Sequence, residues 1–152
     1  GRPQSSSKPP RLMLVGSELD NPEILRLVEA SGAVVVSDDL CTGSRSLWND
    51  CPRGDIDPLI AIAQRYLSLI PCPTKYPIEP KYQHIFRMIE QSRAQGVIVL
   101  QQMFCHPHEL EYPYLQGLLK ERQIPSVCIE LDATYSDEDI QSQTEGLIER
   151  IE

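Results

Sequence analysis

The chain has 152 residues, 41% of them hydrophobic, and a formal net charge of −8. That is one domain of ordinary size with enough apolar material for a core. No run reaches the roughly 18 apolar residues of a membrane span, and so acidic a chain excludes nonspecific nucleic-acid binding, which needs a basic surface.

Gly1–Pro10, GRPQSSSKPP, is polar and rich in Ser and Pro and reads as a disordered linker or expression remnant. So abrupt a start points to something upstream. No secretory signal precedes the first strand, which makes the cytoplasm the expected compartment. Residues 11–152 form the folded domain. Arg11–Val15 is a short apolar strand that ends at Gly16-Ser17. Asn21-Pro22 opens a helix, with Asn as cap and Pro in the first turn. Ile24, Leu25, Leu27 and Val28 give it an apolar face, and Gly32 ends it as a left-handed cap. Ala33–Val36 is a second buried strand, emptying into Ser37-Asp38-Asp39-Leu40-Cys41-Thr42-Gly43.

A long insertion, Ser44–Lys81, follows. Asp57-Pro58 caps a helix running to Leu69, with Leu59, Ile62, Ala63, Tyr66 and Leu67 as its apolar residues. Pro71, Pro73 and Pro77 then stiffen a stretch that can be neither helix nor central strand; it suits a lid or a contact between subunits. A helix over Tyr82–Ala94 turns Ile85, Met88 and Ile89 inward. Val97–Leu100 is a third strand, apolar throughout and therefore covered on both faces. Cys105, His106 and His108 arrive where it ends. A helix over Tyr112–Arg122, a fourth strand over Pro125–Leu131 with Asp132–Tyr135 at its end, and an acidic helix over Asp137–Ile151 complete the chain. The last helix opens with a Ser136/Asp139 capping box.

The joints VEASGAVVVS, SRAQGVIVLQ and KERQIPSVCIEL repeat one helix-to-strand pattern, with Gly replaced in the third. Such joints belong to right-handed βαβ units. The expected fold is α/β: a three-layer, Rossmann-like domain with a four-stranded parallel sheet in the order 2-1-3-4. Ligands in such sheets bind beyond the carboxyl ends of the strands, where the order reverses. That rule places Cys41 and Cys105 at one end of the sheet.

Five cysteines, an odd number and none in a C-x-x-C pair, argue against a disulfide framework, a thioredoxin motif or a zinc ribbon. Cys41 and Cys105 are either buried thiols or soft ligands for iron-sulfur, zinc or copper. His106 and His108 could join a Cys/His zinc site, although Cys-His-x-His gives a poor bite; a helix cap or a bond to a carbonyl is the commoner use. Asp38 and Asp39 could orient ligands or bind magnesium, against the plainer role of turn formation. Arg45, Arg65, Lys75 and Lys81 could meet a phosphate, which is how an acidic chain would still bind coenzyme A, or form a solvated face. Trp48 and Tyr112 could flank a ligand or pack in the core or an interface. Cys128 belongs to a strand core, and Cys51 and Cys72 sit in loops. A standard dinucleotide fingerprint is missing, since only Gly16 follows the first strand.

The ordered blocks DDLCTGSR, DPLIAIAQRYL, IPCPTK, FCHPHELEYPYL and IPSVCIELD resemble the C-terminal domain of 2-hydroxyacyl-CoA dehydratase and benzoyl-CoA reductase subunits, over about Arg11–Glu149. The resemblance implies a subunit of two related α/β domains, paired with a homologous second subunit as a heterodimer. It implies an iron-sulfur cluster, typically [4Fe-4S], held by three cysteines, of which Cys41 and Cys105 lie in this chain and the third in the family's absent N-terminal domain. An ATP-dependent iron-sulfur activator would supply one electron, reducing an acyl-CoA thioester to a ketyl radical anion that expels its hydroxyl, or reducing a benzoyl-CoA ring. His108 matches a family position that hydrogen-bonds the thioester oxygen or holds the cluster loop, and Arg45 and Lys75 would bind the coenzyme A substrate. The alternative is a noncatalytic electron-transfer or scaffolding subunit on the same fold.

Overall fold

The computed structural model describes residues 8–132 and 135–152. Most of the expected linker, and two residues of the Asp132–Tyr135 turn, lie outside them.

Four strands carry the sheet: β1 (Arg11–Gly16), β2 (Val34–Asp39), β3 (Gly96–Gln102) and β4 (Ser126–Leu131). All pair in parallel, in the order β2-β1-β3-β4. Successive side chains on a strand point to opposite faces, and both faces of β1 and β3 are apolar. Leu12, Leu14, Ile98 and Leu100 pack on one side against α1 (Glu23–Ala30) and α6 (Asp137–Ile151) through Ile24, Val28, Ile140 and Leu147. Met13, Val15, Val97 and Val99 pack on the other side against α4 (Glu79–Ser92) and α5 (His106–Glu121) through Ile85, Ile89, Leu115 and Leu119. The three expected layers are therefore present.

The helices start as their sequences dictate, with some shifts. Asn21 accepts the Glu23 N–H at 3.0 Å at the head of α1. Ser136 and Asp139 form the capping box of α6. Asp57 caps α3 (Pro58–Leu67), taking the N–H groups of Leu59 and Ile60. A short helix, α2 (Ser44–Leu47), follows β2 and was not expected.

Three corrections bear on the site. The helix after β3 begins at His106, six residues before the expected Tyr112: Pro107 lies in the first turn, where its missing N–H costs nothing. The apolar residues of α3 do not face a core, for Leu59, Ile62, Tyr66 and Leu67 are all exposed and only Ala61 is buried. The Gly-strand joint holds for Gly32, with φ 101°, but at the next joint the left-handed cap is Arg93, φ 53°, while Gly96 is already inside β3.

Candidate functional site

The carboxyl ends of β1, β2 and β3 meet at one place, and backbone bonds lock them together. Ser17 N–H and hydroxyl both donate to the Leu100 carbonyl, and the same hydroxyl accepts from Gln102 N–H. Cys41 N–H donates to the Ser17 carbonyl at 3.3 Å. Gly16, at φ 149°, permits this crossing, since a Cβ there would overlap the Leu100 carbonyl. Gly43 is required for closeness too: its Cβ would overlap the Asp38 carboxylate, which gathers the loop by accepting from Leu40 N–H, Ser44 N–H and the Ser44 hydroxyl.

Cys41 stands at the centre of this end. Its Sγ is 3.3 Å from Arg45 Nη1, 3.7 Å from His108 Nε2 and 3.9 Å from the Gly16 carbonyl. Burial pushes its thiol above the ordinary range; the Arg45 guanidinium pulls it back, and charge on Cys72 or Cys105 would push it further up. Cys41 follows β2 and Cys105 follows β3, so both lie at the carboxyl end of the parallel sheet. Cys105 is the residue before α5, half-buried, and its carbonyl accepts from His108 N–H and Glu109 N–H. The backbone reaches it through Phe104, in a left-handed conformation at φ 67°.

Arg45 is not part of a solvated face. It is buried and forks onto Asp39, with Nε 3.0 Å from Oδ1 and Nη2 2.9 Å from Oδ2, and it also reaches the Gly16 carbonyl. Asp39 is itself fully buried inside β2, and its carboxylate is 3.9 Å from His84 Nε2. Lys81 departs furthest from the solvated reading, having no exposed surface and holding both Glu111 oxygens at 2.6 Å. Arg65 spends its guanidinium on the carbonyls of Asn49 and Ser46, and Lys75 donates to the Leu67 carbonyl.

His108 is buried in the first turn of α5, with Nδ1 3.4 Å from Glu111 Oε2 and Nε2 towards Cys41. His106 is exposed and bonds Glu109. Burial alone would raise Glu111, but hydrogen bonding from His108 and the charge of Lys81 outweigh it and hold the carboxyl below its ordinary value. Trp48 meets His84 edge-on at 4.8 Å. Tyr112 packs against the core of the α4/α5 side and bonds Gln116. Cys128 also packs there, half-buried, its thiol pushed up to about 11 by burial and by Glu130.

Two openings flank the Cys105 segment. One, of about 390 Å³, lies between the proline-rich stretch and α5, lined by Lys75, Tyr76, Tyr82, Pro107, Glu111 and Tyr114. The other, of about 700 Å³, lies beyond the ends of β3 and β4, lined by residues including Gln102, Phe104 and Asp132. Sequence reasoning missed Glu111 and His84, and it read Lys81 as a phosphate contact or solvated face and not as half of a buried pair. A charged residue is almost never fully buried unless paired, and nothing in the spacing of Lys81 and Glu111 announces the pair.

Among the described residues, no three His, Cys, Asp or Glu side chains converge as a set for a metal ion. The donor chemistry of Cys41 and Cys105 nevertheless fits thiolate-held iron: two soft ligands at one sheet end, with Arg45 and His108 placed to neutralise or hydrogen-bond a sulfur. The donor number is incomplete, and the balance would come from other residues.

The chain is a parallel three-layer α/β domain of the open-sheet kind, with sulfur and imidazole groups beyond the strand ends. Its whole length, residues 1–152, matches the family model of the 2-hydroxyglutaryl-CoA dehydratase D-component, and the chain belongs to that family. It is 30% identical to the (R)-phenyllactyl-CoA dehydratase beta subunit of Clostridium sporogenes, over 80% of this chain and 32% of that one. It is 27% identical to the beta subunit of (R)-2-hydroxyglutaryl-CoA dehydratase of Acidaminococcus fermentans, over 84% and 35%. With one of the benzoyl-CoA reductase subunits of Thauera aromatica the identity is 28%, over 77% and 31%. The chain thus spans about a third of the length of these relatives. No described helix is long and apolar enough to cross a membrane.

Proposed function

We propose that this chain is the cluster-binding part of a subunit that carries out one-electron chemistry on acyl-CoA thioesters, dehydrating a 2-hydroxyacyl-CoA or reducing a benzoyl-CoA ring. Membership of the dehydratase family supports the kind of reaction. The observation that carries the site is the contact of Cys41 Sγ with His108 Nε2 beside a buried guanidinium, at the sheet end where Cys105 precedes α5.

Cys41 and Cys105 are the ligands this chain would give a [4Fe-4S] cluster, the third coming from residues outside it. Bound there, the cluster would supply the single low-potential electron that no amino-acid side chain can provide. The protein's part is to tune the site. Arg45 and His108 lie against Cys41 Sγ and offset thiolate charge, as hydrogen bonds to sulfur do. For His108 to hydrogen-bond a thioester oxygen as well, Nε2 would have to leave the Cys41 sulfur, since Nδ1 faces Glu111. Lys75, at the mouth of the 390 Å³ cleft, is the cation available to a coenzyme A phosphate; Arg45 is committed to Asp39 and acts on sulfur instead. A homologous second subunit and an ATP-dependent iron-sulfur activator are the partners this chemistry requires.

The test uses the complete subunit with its partner, purified without oxygen. Cys41→Ser or Cys105→Ser abolishes stoichiometric iron and the radical signal on adding activator and 2-hydroxyacyl-CoA. Unchanged iron content in either variant removes that cysteine from the ligand set.

A further inference from the structure

Glu111 and Lys81 have no part in the sulfur chemistry above, yet they form a buried ion pair one residue away from it. The Lys81 side chain leaves α4 and ends between the two oxygens of Glu111 on α5. Desolvating such a pair is costly, and an apolar pair would often serve stability as well. The arrangement needs another reason, and the other side of the carboxylate supplies one. Glu111 Oε2 is 3.4 Å from His108 Nδ1, one turn earlier on the same helix. The opposite ring nitrogen, Nε2, is 3.7 Å from Cys41 Sγ. The imidazole bridges a fixed anion and a sulfur.

We propose that Glu111, held by Lys81, is a positioning residue that keeps a hydrogen on His108 Nδ1 and so commits Nε2 to the Cys41 sulfur. An ionised carboxylate can only accept, and Lys81 keeps this one ionised. Without a partner, a histidine ring has two tautomers and can rotate. With the Nδ1 hydrogen held by Glu111, Nε2 is the ring atom left to share a hydrogen with the Cys41 sulfur. The inference deepens the role given to His108 under the proposed function and rests on that reading for its catalytic meaning, though not for its geometry.

The experiment uses the iron-free full chain with ¹⁵N-labelled histidine, reduced, at about pH 8.5, above the ordinary histidine range. Long-range ¹H–¹⁵N correlation separates protonated from bare ring nitrogens. Only three histidines must be assigned, and His108→Gln identifies the one in question. The expected wild-type spectrum has a hydrogen on Nδ1 of His108. The double variant Lys81→Met/Glu111→Leu removes both charges together and shifts the hydrogen to Nε2, with the amide spectrum otherwise native. A bare Nδ1 in the wild type overturns the proposal, and so does an unchanged tautomer in a folded double variant. Should the double variant not fold, the wild-type spectrum still decides. Wild-type Nδ1–H alongside a complete subunit that takes up no iron would sink the cluster reading and leave this one standing.

Discussion

A series of groups, all buried except the half-buried Cys41, runs under the carboxyl end of the sheet: Lys81, Glu111, His108, Cys41, Arg45, Asp39. Donor-only cations and acceptor-only carboxylates alternate, with the imidazole and thiol between them able to do either. Such a network is stable when every member is satisfied and costly when one is lost. Arg45 is its most connected member, joining Asp39, the Gly16 carbonyl and Cys41. Arg45→Ala strands a fully buried carboxylate and is expected to cost about 3–5 kcal/mol. Arg45→Lys recovers little of this, because an ammonium cannot fork onto a carboxylate and a carbonyl together. Arg45→Met with Asp39→Asn, which removes both charges, is expected to cost clearly less than Arg45→Ala alone. Urea unfolding near neutral pH measures all three; a single-variant cost under about 1 kcal/mol would mean that the pair is solvated.

At the scale of elements, α3 is the odd one. Its sequence has an aspartate cap, a proline in the first turn and five large apolar residues, yet those residues face solvent. Leu59 and Leu67 are each 76% exposed. The helix is held by its cap and by Arg65, which bonds the carbonyls of Ser46 and Asn49. Leu59→Glu with Leu67→Lys is therefore expected to leave stability within about 0.5 kcal/mol for each substitution, as read from the thermal midpoint. A drop of several degrees would mean that these leucines pack inside the isolated chain. The contrast shows what the sequence can specify. Strands β1 and β3 were legible because apolar residues on both faces admit only a central parallel strand, and their order followed from short right-handed joints. The apolar pattern of α3 was equally legible as a helix, but periodicity records that a face is apolar and not what covers it. The start of α5 was hidden because Pro107 reads as a breaker unless the first turn is already known. Cys41, Cys105 and His108 stand out as candidates from their positions after strands, and the fold brings Cys41 and His108 into contact. Lys81, Glu111 and His84 come together only through the docking of α4 and α5 on the sheet, a contact that no local spacing encodes.

For the molecule as a whole, the layer of α4 and α5 sets the response to acid. His84 on α4 is buried, and among the described residues neither ring nitrogen has a hydrogen-bond partner. Burial lowers its proton affinity, with Asp39 opposing. The unfolded chain takes up a proton near the ordinary value of about 6.5, whereas the folded chain does so only at lower pH. Stability is therefore full above that range and declines as pH falls through it. Glu111 acts lower down. Its folded value lies below the ordinary one, so its contribution is whole above about pH 4.3 and is lost as pH falls through the depressed value. The thermal midpoint should therefore fall in two limbs between about pH 7.5 and 3. His84→Phe keeps the ring against Trp48 and removes the upper limb. Lys81→Met/Glu111→Leu leaves the upper limb and flattens the lower. Because His84 faces Asp39, and Glu111 faces His108, both limbs loosen the groups that surround Cys41. A His84→Phe profile that superimposes on the wild type would show that His84 has the same proton affinity folded and unfolded, with Asp39 cancelling the effect of burial.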